Sequence, residues 1–220
     1  MDRQTQPVPH TDSREDIDPD TPEVFTDKEL AVTLYEDASY ASDLDTRKSV
    51  TSYDIVVGRT ITKTYSKRQN TVEGSTYGAE LVASRVAIEA ALATRYKLRM
   101  LGMKVTKPVV ILCDNMSVVH NMQLPSSALK KKHNAVAWAK CREAVAIGAV
   151  KFAHIGSKWN LADLGTKAKG PEDYYRLLRE PLFGKPNTKP APDSRGVVED
   201  DSVPGHGRSP FGSPGENKKE

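Results

Sequence analysis

The chain has 220 residues, of which 38% are hydrophobic and 28% are charged, and its formal net charge is +3. No apolar run approaches the roughly 18 residues that a membrane span needs, and the N-terminus lacks the basic and apolar stretches of a signal peptide. Two cysteines cannot build a disulfide framework or a four-cysteine zinc site. These features predict a soluble intracellular protein, cytoplasmic or nuclear, with no membrane partner.

The composition changes along the chain and predicts three segments. Residues 1–27 hold eight acids against two bases and show little apolar periodicity, which predicts a disordered acidic leader. Residues 184–220 hold six glycines and six prolines, which predict a disordered tail. Residues 28–183 hold 24 bases and 15 acids and are numerous enough for one hydrophobic core. The positive charge of this central segment suits a polyanionic partner.

The first half of the central segment is predicted to form three strands and a long helix. The strands lie at residues 31–37, 50–57 and 60–67, and Gly58 with Arg59 indicates a tight hairpin turn between the last two. Ser75 is then the predicted N-cap of a helix over residues 79–100, which is rich in Ala, Leu, Arg and Glu.

The second half is predicted to contain two strands separated and followed by helices. Residues 108–113 form a nearly continuous apolar run, which indicates a fully buried strand. The elements after it are, in order, helix, helix, strand, helix and helix, at residues 115–123, 130–147, 150–155, 161–167 and 172–179. This order predicts an α/β fold: a mixed five-stranded sheet with helices on both faces.

Four acids stand where such a sheet gathers its ligands. Asp37 and Asp114 each close a strand, Glu80 lies near the start of the long helix, and Asp163 lies near the start of a later helix. If the first strand and the strand at 108–113 are neighbours, Asp37 and Asp114 emerge side by side. Grouped carboxylates repel one another unless a cation joins them, and all-oxygen ligands favour Mg²⁺. The alternative is that each acid is an exposed helix cap, which is strongest for Glu80 and Asp163.

Six short motifs around these acids resemble those of the ribonuclease H domain of copia-type retrotransposon polyproteins. The resemblance covers about residues 31–182, and the motifs occur in the family's order. They are YEDASYA at 35–41 (similar to SDADWA), DTRKSVTSY at 45–53 (RKSTSGY), residues 69–80 (the stretch with the catalytic Glu), CDNMS at 113–117 (CDNQS), KH at 132–133 (KHI) and LADLGTK at 161–167 (LADILTK).

The resemblance implies a ribonuclease H-like fold and hydrolysis of the RNA strand of an RNA–DNA hybrid by two Mg²⁺ ions, with Mn²⁺ as the alternative ion. It places both the catalytic residues and the metal ligands at Asp37, Glu80, Asp114 and Asp163. It further implies that the chain is a part or a relic of a retrotransposon polyprotein. The expected partners are then the RNA–DNA hybrid and a reverse transcriptase of the same element.

The sequence departs from the family pattern at three positions. Ser39 stands where the family often has a second Asp, and Gly78 stands where it often has another Glu. Gly165 replaces a larger apolar residue, which predicts looser packing of the last helices. Glu73 is the alternative to Glu80 if the register of that stretch differs.

Residues near the acids are candidate contacts to nucleic acid. Asn115 and Ser117 follow Asp114 closely and suit contacts to sugar or phosphate, or capping of the helix that follows. A basic run is predicted to contact phosphates, with a histidine near the scissile group, or else to form a solvated loop: Lys130, Lys131, Lys132 and His133.

Two other functions stay open on the sequence alone. A catalytically inactive domain of the same fold would bind nucleic acid without cleaving it. An enzyme of this fold that acts on DNA, as an integrase or resolvase does, would not depend on the 2′-OH of RNA. Cleavage of any nucleic acid would exclude the inactive binding domain, and a preference for RNA would exclude the enzyme that acts on DNA.

Overall fold

The structure is a computed structural model that describes residues 28–124 and 134–183. The predicted leader (1–27) and tail (184–220) lie outside these residues, so both stay predictions. The predicted phosphate contacts Lys130, Lys131, Lys132 and His133 also lie outside them. Within the described part of the chain, no helix is both long enough and apolar enough to cross a membrane.

The described residues form five strands and five α-helices. The strands are β1 (Val32–Ser39), β2 (Val50–Val57), β3 (Thr60–Arg68), β4 (Val109–Cys113) and β5 (Val150–His154). The helices are α1 (Thr76–Met100), α2 (Met116–Gln123), α3 (Ala135–Ala146), α4 (Asp163–Thr166) and α5 (Pro171–Phe183). The sequence therefore predicted every strand, with bounds within two residues.

The sheet has the strand order β3-β2-β1-β4-β5. Strand β2 pairs antiparallel with both β1 and β3, whereas β4 pairs in parallel with both β1 and β5. Gly58 adopts a φ of +63° in the tight turn between β2 and β3, a conformation that glycine takes without a steric cost. The predicted α/β class and the mixed five-stranded sheet are confirmed.

Side chains of β1 alternate between the two faces of the sheet, and helices cover both of these faces. Leu34 is fully buried on the face covered by α1, where Ile111 of β4 and Leu81 of α1 join it in one apolar core. On the opposite face, Tyr35 and Leu177 of α5 line one cavity of about 350 Å³. The end of β1 is therefore enclosed between α1 on one side and the terminal helices on the other.

The predicted helix over residues 161–167 is wrong at its start. The chain first makes a short 3₁₀ helix, Ser157–Trp159, and α4 begins only at Asp163. The reason is Asn160, whose buried side chain donates to the carbonyl of Glu36 at 2.8 Å and accepts from the N–H of Ala162 at 3.2 Å. These bonds fix the chain to the end of β1 in a turn that a continuous helix would not allow.

Candidate active site

The carboxylates of Asp37 and Asp114 meet because β1 and β4 are parallel neighbours. Glu36 pairs with Cys113 in the register, so the next residue of each strand emerges at the same edge of the sheet. Asp163, the first residue of α4, reaches the same point from a separate helix. One carboxylate oxygen from each of Asp37, Asp114 and Asp163 lies within 4.8 Å of the other two.

Glu80 joins this cluster through Asp114. A Glu80 oxygen, an Asp114 oxygen and the Cys113 sulfur lie within 4.8 Å of one another. Glu80 is 8% exposed, and its Oε2 has no hydrogen-bond partner among the described residues. The four predicted acids thus converge at one end of the sheet, in two overlapping groups that share Asp114.

Helix capping does not explain the positions of Asp114 and Glu80. The N-cap of α2 is Asn115, whose Oδ1 accepts from the N–H of Ser117 at 3.1 Å. The N-cap of α1 is Ser75, as predicted, and no acid lies in the first turn of that helix. Asp163 does lie in the first turn of α4, but this helix is only four residues long. The capping interpretation therefore applies to Asn115 and Ser75, and Asp114 and Glu80 are left as cluster members.

Two lysines compensate one side of the cluster. The Lys167 ammonium lies 2.6 Å from an Asp163 oxygen and 3.4 Å from an Asp37 oxygen, and Lys169 lies 2.7 Å from the other Asp163 oxygen. The hydroxyl of Thr166 also donates to Asp37. Asp163 and Asp37 are almost fully buried, so their charges depend on these partners.

The pKa shifts of these groups follow their surroundings. Burial raises the pKa of Glu80 to about 10, and the charges of nearby carboxylates add to this effect. Burial raises the pKa of Asp37 to about 6, although Thr166 and Lys167 oppose the shift. Burial also acts on Asp163, but the hydrogen bonds from Lys167 and Lys169 outweigh it and lower its pKa. The site therefore carries less negative charge than four independent acids would. An added cation would stabilise the ionised form of Glu80 more than that of the other acids.

Gly165 brings α4 close to the sheet, contrary to the predicted loosening. A Cβ at this position would lie 2.2 Å from the Ser52 Oγ and 3.3 Å from the Ser66 Cβ. The Ser66 hydroxyl donates to the Gly165 carbonyl at 2.5 Å. Glycine is required because β2 and β3 leave no room for a side chain, and the close approach positions Asp163 beside Asp37.

Gly78 has a comparable role at the start of α1. A Cβ there would lie 2.8 Å from the Glu73 Oε2 and 3.0 Å from the Asn134 Nδ2. Glu73, the alternative to Glu80, is buried at this contact and is absent from both groups of clustered acids. The geometry favours Glu80 over Glu73 as a member of the site.

Two further side chains at the site were not predicted as functional from the sequence. Lys167 was detectable, because it lies four residues after Asp163, a spacing that brings opposite charges together on a helix. Glu36 was not, because nothing in the sequence indicates that it is fully buried on the α1 side of β1. Its Oε1 accepts from the Ser84 hydroxyl at 2.7 Å, and burial raises its pKa to about 8.

The predicted nucleic-acid contacts are only partly placed. Asn115 uses its side-chain oxygen to cap α2, which is the second of its two predicted roles. Ser117 is exposed in the first turn of α2, near Asp114. The basic run at residues 130–133 lies outside the described residues, and its role stays a prediction.

The chain is similar to retrovirus-related Pol polyproteins of plant transposons. It is 30% identical over 143 residues to that of transposon RE1 of Arabidopsis thaliana, and 30% identical over 146 residues to that of transposon TNT 1-94 of Nicotiana tabacum. These matches cover 63% and 66% of the chain but only 9% and 11% of the polyproteins. No protein-family model matches the chain.

Solved structures similar to this fold include ribonuclease H domains. One is the N-terminal RNase H domain of a Mycobacterium tuberculosis protein, with a TM-score of 0.48, 13% identity, and coverage of 63% of this chain and 91% of that one. Another is LC11-RNase H1 in complex with an RNA/DNA hybrid, with a TM-score of 0.47, 18% identity, and coverage of 61% and 92%. The resemblance predicted from the six motifs is confirmed: the relatives of this chain are retrovirus-related Pol polyproteins of transposons, and the solved structures of similar fold include ribonuclease H domains.

Proposed function

We propose that this chain is a metal-dependent endonuclease that hydrolyses the RNA strand of RNA–DNA hybrids, as part or relic of a retrotransposon polyprotein. The observation that carries the proposal is the convergence of four acids at one end of the sheet: Asp37 from β1, Glu80 from α1, Asp163 from α4, and Asp114 from the connection between β4 and α2. Converging buried carboxylates destabilise a fold unless they are compensated. A bound divalent cation would provide this compensation.

The donor set fits Mg²⁺. The Asp37, Asp114 and Asp163 oxygens and the unpartnered Glu80 Oε2 are hard ligands of the kind that Mg²⁺ prefers. Bound to such a site, two ions supply an activated water and stabilise the leaving oxygen of a phosphodiester. Mn²⁺ accepts the same ligands and is the alternative ion.

The remaining residues orient and balance the ligands. Thr166 holds Asp37 by a hydrogen bond, and Lys167 and Lys169 hold Asp163 in its ionised form. Gly165 sets the distance between α4 and the sheet. The hybrid would bind through backbone contacts of the basic segment and through shape and 2′-OH contacts, with Ser117 close to the acids.

A catalytically inactive nucleic-acid-binding relic is the main rival. It is disfavoured by the burial and spacing of the acids: the Glu36 and Glu80 Oε2 atoms are buried with no hydrogen-bond partner among the described residues, an arrangement that costs stability and that a bound cation would relieve. An enzyme acting on DNA alone remains an outcome of the substrate comparison below.

The test is cleavage of an end-labelled RNA–DNA hybrid with Mg²⁺ or with EDTA, beside duplex DNA and duplex RNA of the same sequence. We expect cleavage of the RNA strand of the hybrid only, and only with the metal. The variant Asp163→Asn should abolish it, whereas Asp45→Asn, in an exposed loop, should not. Metal-independent binding without cleavage would support the relic, and cleavage of duplex DNA would support the other enzyme.

A further inference from the structure

A groove beside α5 combines exposed aromatic rings with arginines and lies outside the acid cluster. Two cavities, of about 680 and 350 Å³, share Trp159 and Arg176 among the residues that line them. Tyr175 and Arg179 of α5 line the larger cavity, and Arg59 of the turn between β2 and β3 lines the smaller one. We call these five residues the Trp159 groove.

The rings of the groove are held in place and yet exposed to solvent. Trp159 is 53% exposed and Tyr175 is 66% exposed. The backbone of Trp159 is fixed, because its N–H donates to the Gly156 carbonyl at 2.8 Å and the next residue, Asn160, is fully buried. On α5, Leu177 is buried two residues after Tyr175 and anchors the helix. An unpaired base of any identity can stack on an aromatic face that is exposed and positioned in this way.

The charges of the groove favour a polyanion. Arg59, Arg176 and Arg179 line it, and Glu172 is the one acid among the lining residues that the structure describes. Asp173 pairs with one Arg176 nitrogen at 2.5 Å, while the Arg176 Nε is buried and has no hydrogen-bond partner among the described residues. A phosphate oxygen is an acceptor for such a donor, and an unpaired strand brings its phosphates close to its stacked bases.

We propose that the Trp159 groove binds an unpaired strand of nucleic acid, with bases stacked on Trp159 and Tyr175 and phosphates on the three arginines. The ammonium of Lys158 lies 5.4 Å from the centre of the Trp159 ring. An exposed cation over a ring is worth about twofold to fivefold in an equilibrium constant, whereas a stacked base is worth about fivefold to 150-fold. The base therefore displaces Lys158, which is released to pair with a phosphate.

The groove adjoins the acid cluster along β1. Tyr35 lines the smaller cavity, and Asp37 lies two residues further along the same face of the strand, a rise of about 7 Å. An unpaired strand in the groove is therefore close enough to continue from a hybrid at the acids. The inference goes beyond the proposed function, since stacking needs no metal and no cleavage. A base-paired duplex presents no free base faces, so the groove should discriminate unpaired strands from duplexes.

The first experiment measures the fluorescence of Trp159 alone. The chain has two tryptophans, and Trp138→Phe removes the other one, whose Nε1 has no hydrogen-bond partner to lose among the described residues. This full-length variant is titrated in EDTA with oligo-dT of about 12 nucleotides and with a blunt DNA duplex of the same length. We expect the oligo-dT to quench the fluorescence, because a stacked base quenches an indole, and the duplex to leave it unchanged. Equal quenching by both, or quenching by neither, would overturn the proposal.

The second experiment measures affinity by the fluorescence anisotropy of labelled oligo-dT, and it does not depend on the folding of Trp138→Phe. Trp159→Ala should bind at least about fivefold more weakly than the wild type. Tyr96→Ala is the matched control and should bind as the wild type does, because Tyr96 is 52% exposed on α1 and lines neither cavity. Equal affinities of Trp159→Ala and the wild type would overturn the proposal and favour a protein as the occupant of the groove.

A third variant tests the phosphate contacts. Arg179→Gln should reduce the salt dependence of oligo-dT binding: the slope of log K against log salt concentration should fall in magnitude by about 0.7, the value for one phosphate of a single strand. Lys97→Gln is the control, since Lys97 is exposed in the last turn of α1, outside the groove. An unchanged slope for Arg179→Gln, or the same change for Lys97→Gln, contradicts the phosphate contacts and overturns the proposal.

Discussion

Replacing Asp114 by Asn separates two properties of the cluster: the repulsion between its carboxylates and its binding of Mg²⁺. Asp114 is the acid shared by both groups, with oxygens of Asp37, Asp163 and Glu80 within 4.8 Å. Two unit charges at 4.8 Å repel by about 0.9 kcal/mol in water and about 3.5 kcal/mol at an effective dielectric of 20. Lys167 offsets part of this repulsion. We therefore expect a net gain of about 1 kcal/mol in the free energy of unfolding of the metal-free variant.

That gain corresponds to a rise in melting temperature of about 2–4 °C for a domain of this size. The effect of Mg²⁺ should run the other way. An ion at 100 times its dissociation constant stabilises the wild type by about 2.7 kcal/mol, and a variant without the shared ligand loses most of this. The order of stability should thus reverse: Asp114→Asn melts above the wild type in EDTA and below it in saturating Mg²⁺.

The assay is thermal unfolding of both proteins, and of Asp45→Asn as an exposed control, in EDTA and in a Mg²⁺ series. The reasoning is refuted if Asp114→Asn melts below the wild type in EDTA, because the cluster would then not be repulsive. It is also refuted if the variant keeps the full Mg²⁺-induced shift, because Asp114 would then not be a ligand.

Four other outcomes are expected. Calorimetry should show that Lys167→Met binds Mg²⁺ about fivefold more tightly than the wild type. The substitution removes a competing cation whose exposed side chain makes ion pairs of about 1 kcal/mol in total. Weaker Mg²⁺ binding would contradict this. Gly165→Ala should lower the free energy of unfolding by about 1–3 kcal/mol in urea and weaken Mg²⁺ binding, because the new Cβ would meet Ser52. In EDTA, the free energy of unfolding should fall between pH 5 and pH 8. The reason is that the raised pKa values of Asp37 (about 6) and Glu80 (about 10) make the folded state hold protons that the unfolded chain releases. Saturating Mg²⁺ should flatten this slope, and a flat profile in EDTA counts against the cluster. A chain of residues 28–183 should unfold cooperatively with the melting temperature of the full chain, since residues 1–27 and 184–220 bury little apolar surface in the prediction.

The strands and the convergence of two acids followed from local patterns. Alternation and apolar runs gave β2 the bounds 50–57 that the structure has, and Ser75 marked the start of α1. The side-by-side position of Asp37 and Asp114 needed one assumption, that β1 and β4 are neighbours, and the parallel register meets it. These features depend on neighbours in sequence or on a single pairing, which is why a sequence alone could give them.

The two glycine departures could not be interpreted in the same way. Gly165 looked like a loss of packing because its family counterpart is larger, yet it allows α4 to approach Ser52 and Ser66. Gly78 similarly allows Glu73 and Asn134 to approach α1. The contacts of Gly165 with Ser52 and Ser66, and that of Gly78 with Asn134, join segments far apart in the chain, so their distances depend on the assembled fold and leave no local signal.

The consecutive acids Glu36 and Asp37 explain why the cluster has two unlike halves. Neighbouring residues of a strand point to opposite faces, so Asp37 lies beside Thr166 and Lys167 while Glu36 is buried beside Cys113. Lys167 forms ion pairs with Asp37 and Asp163, whereas the other half holds the Glu36 and Glu80 Oε2 atoms, which have no hydrogen-bond partner among the described residues. An entering cation gains most in this second half, where it pairs those buried oxygens. Binding should then begin on the side of Glu80, and the removal of Lys167 should tighten a second binding event more than the first.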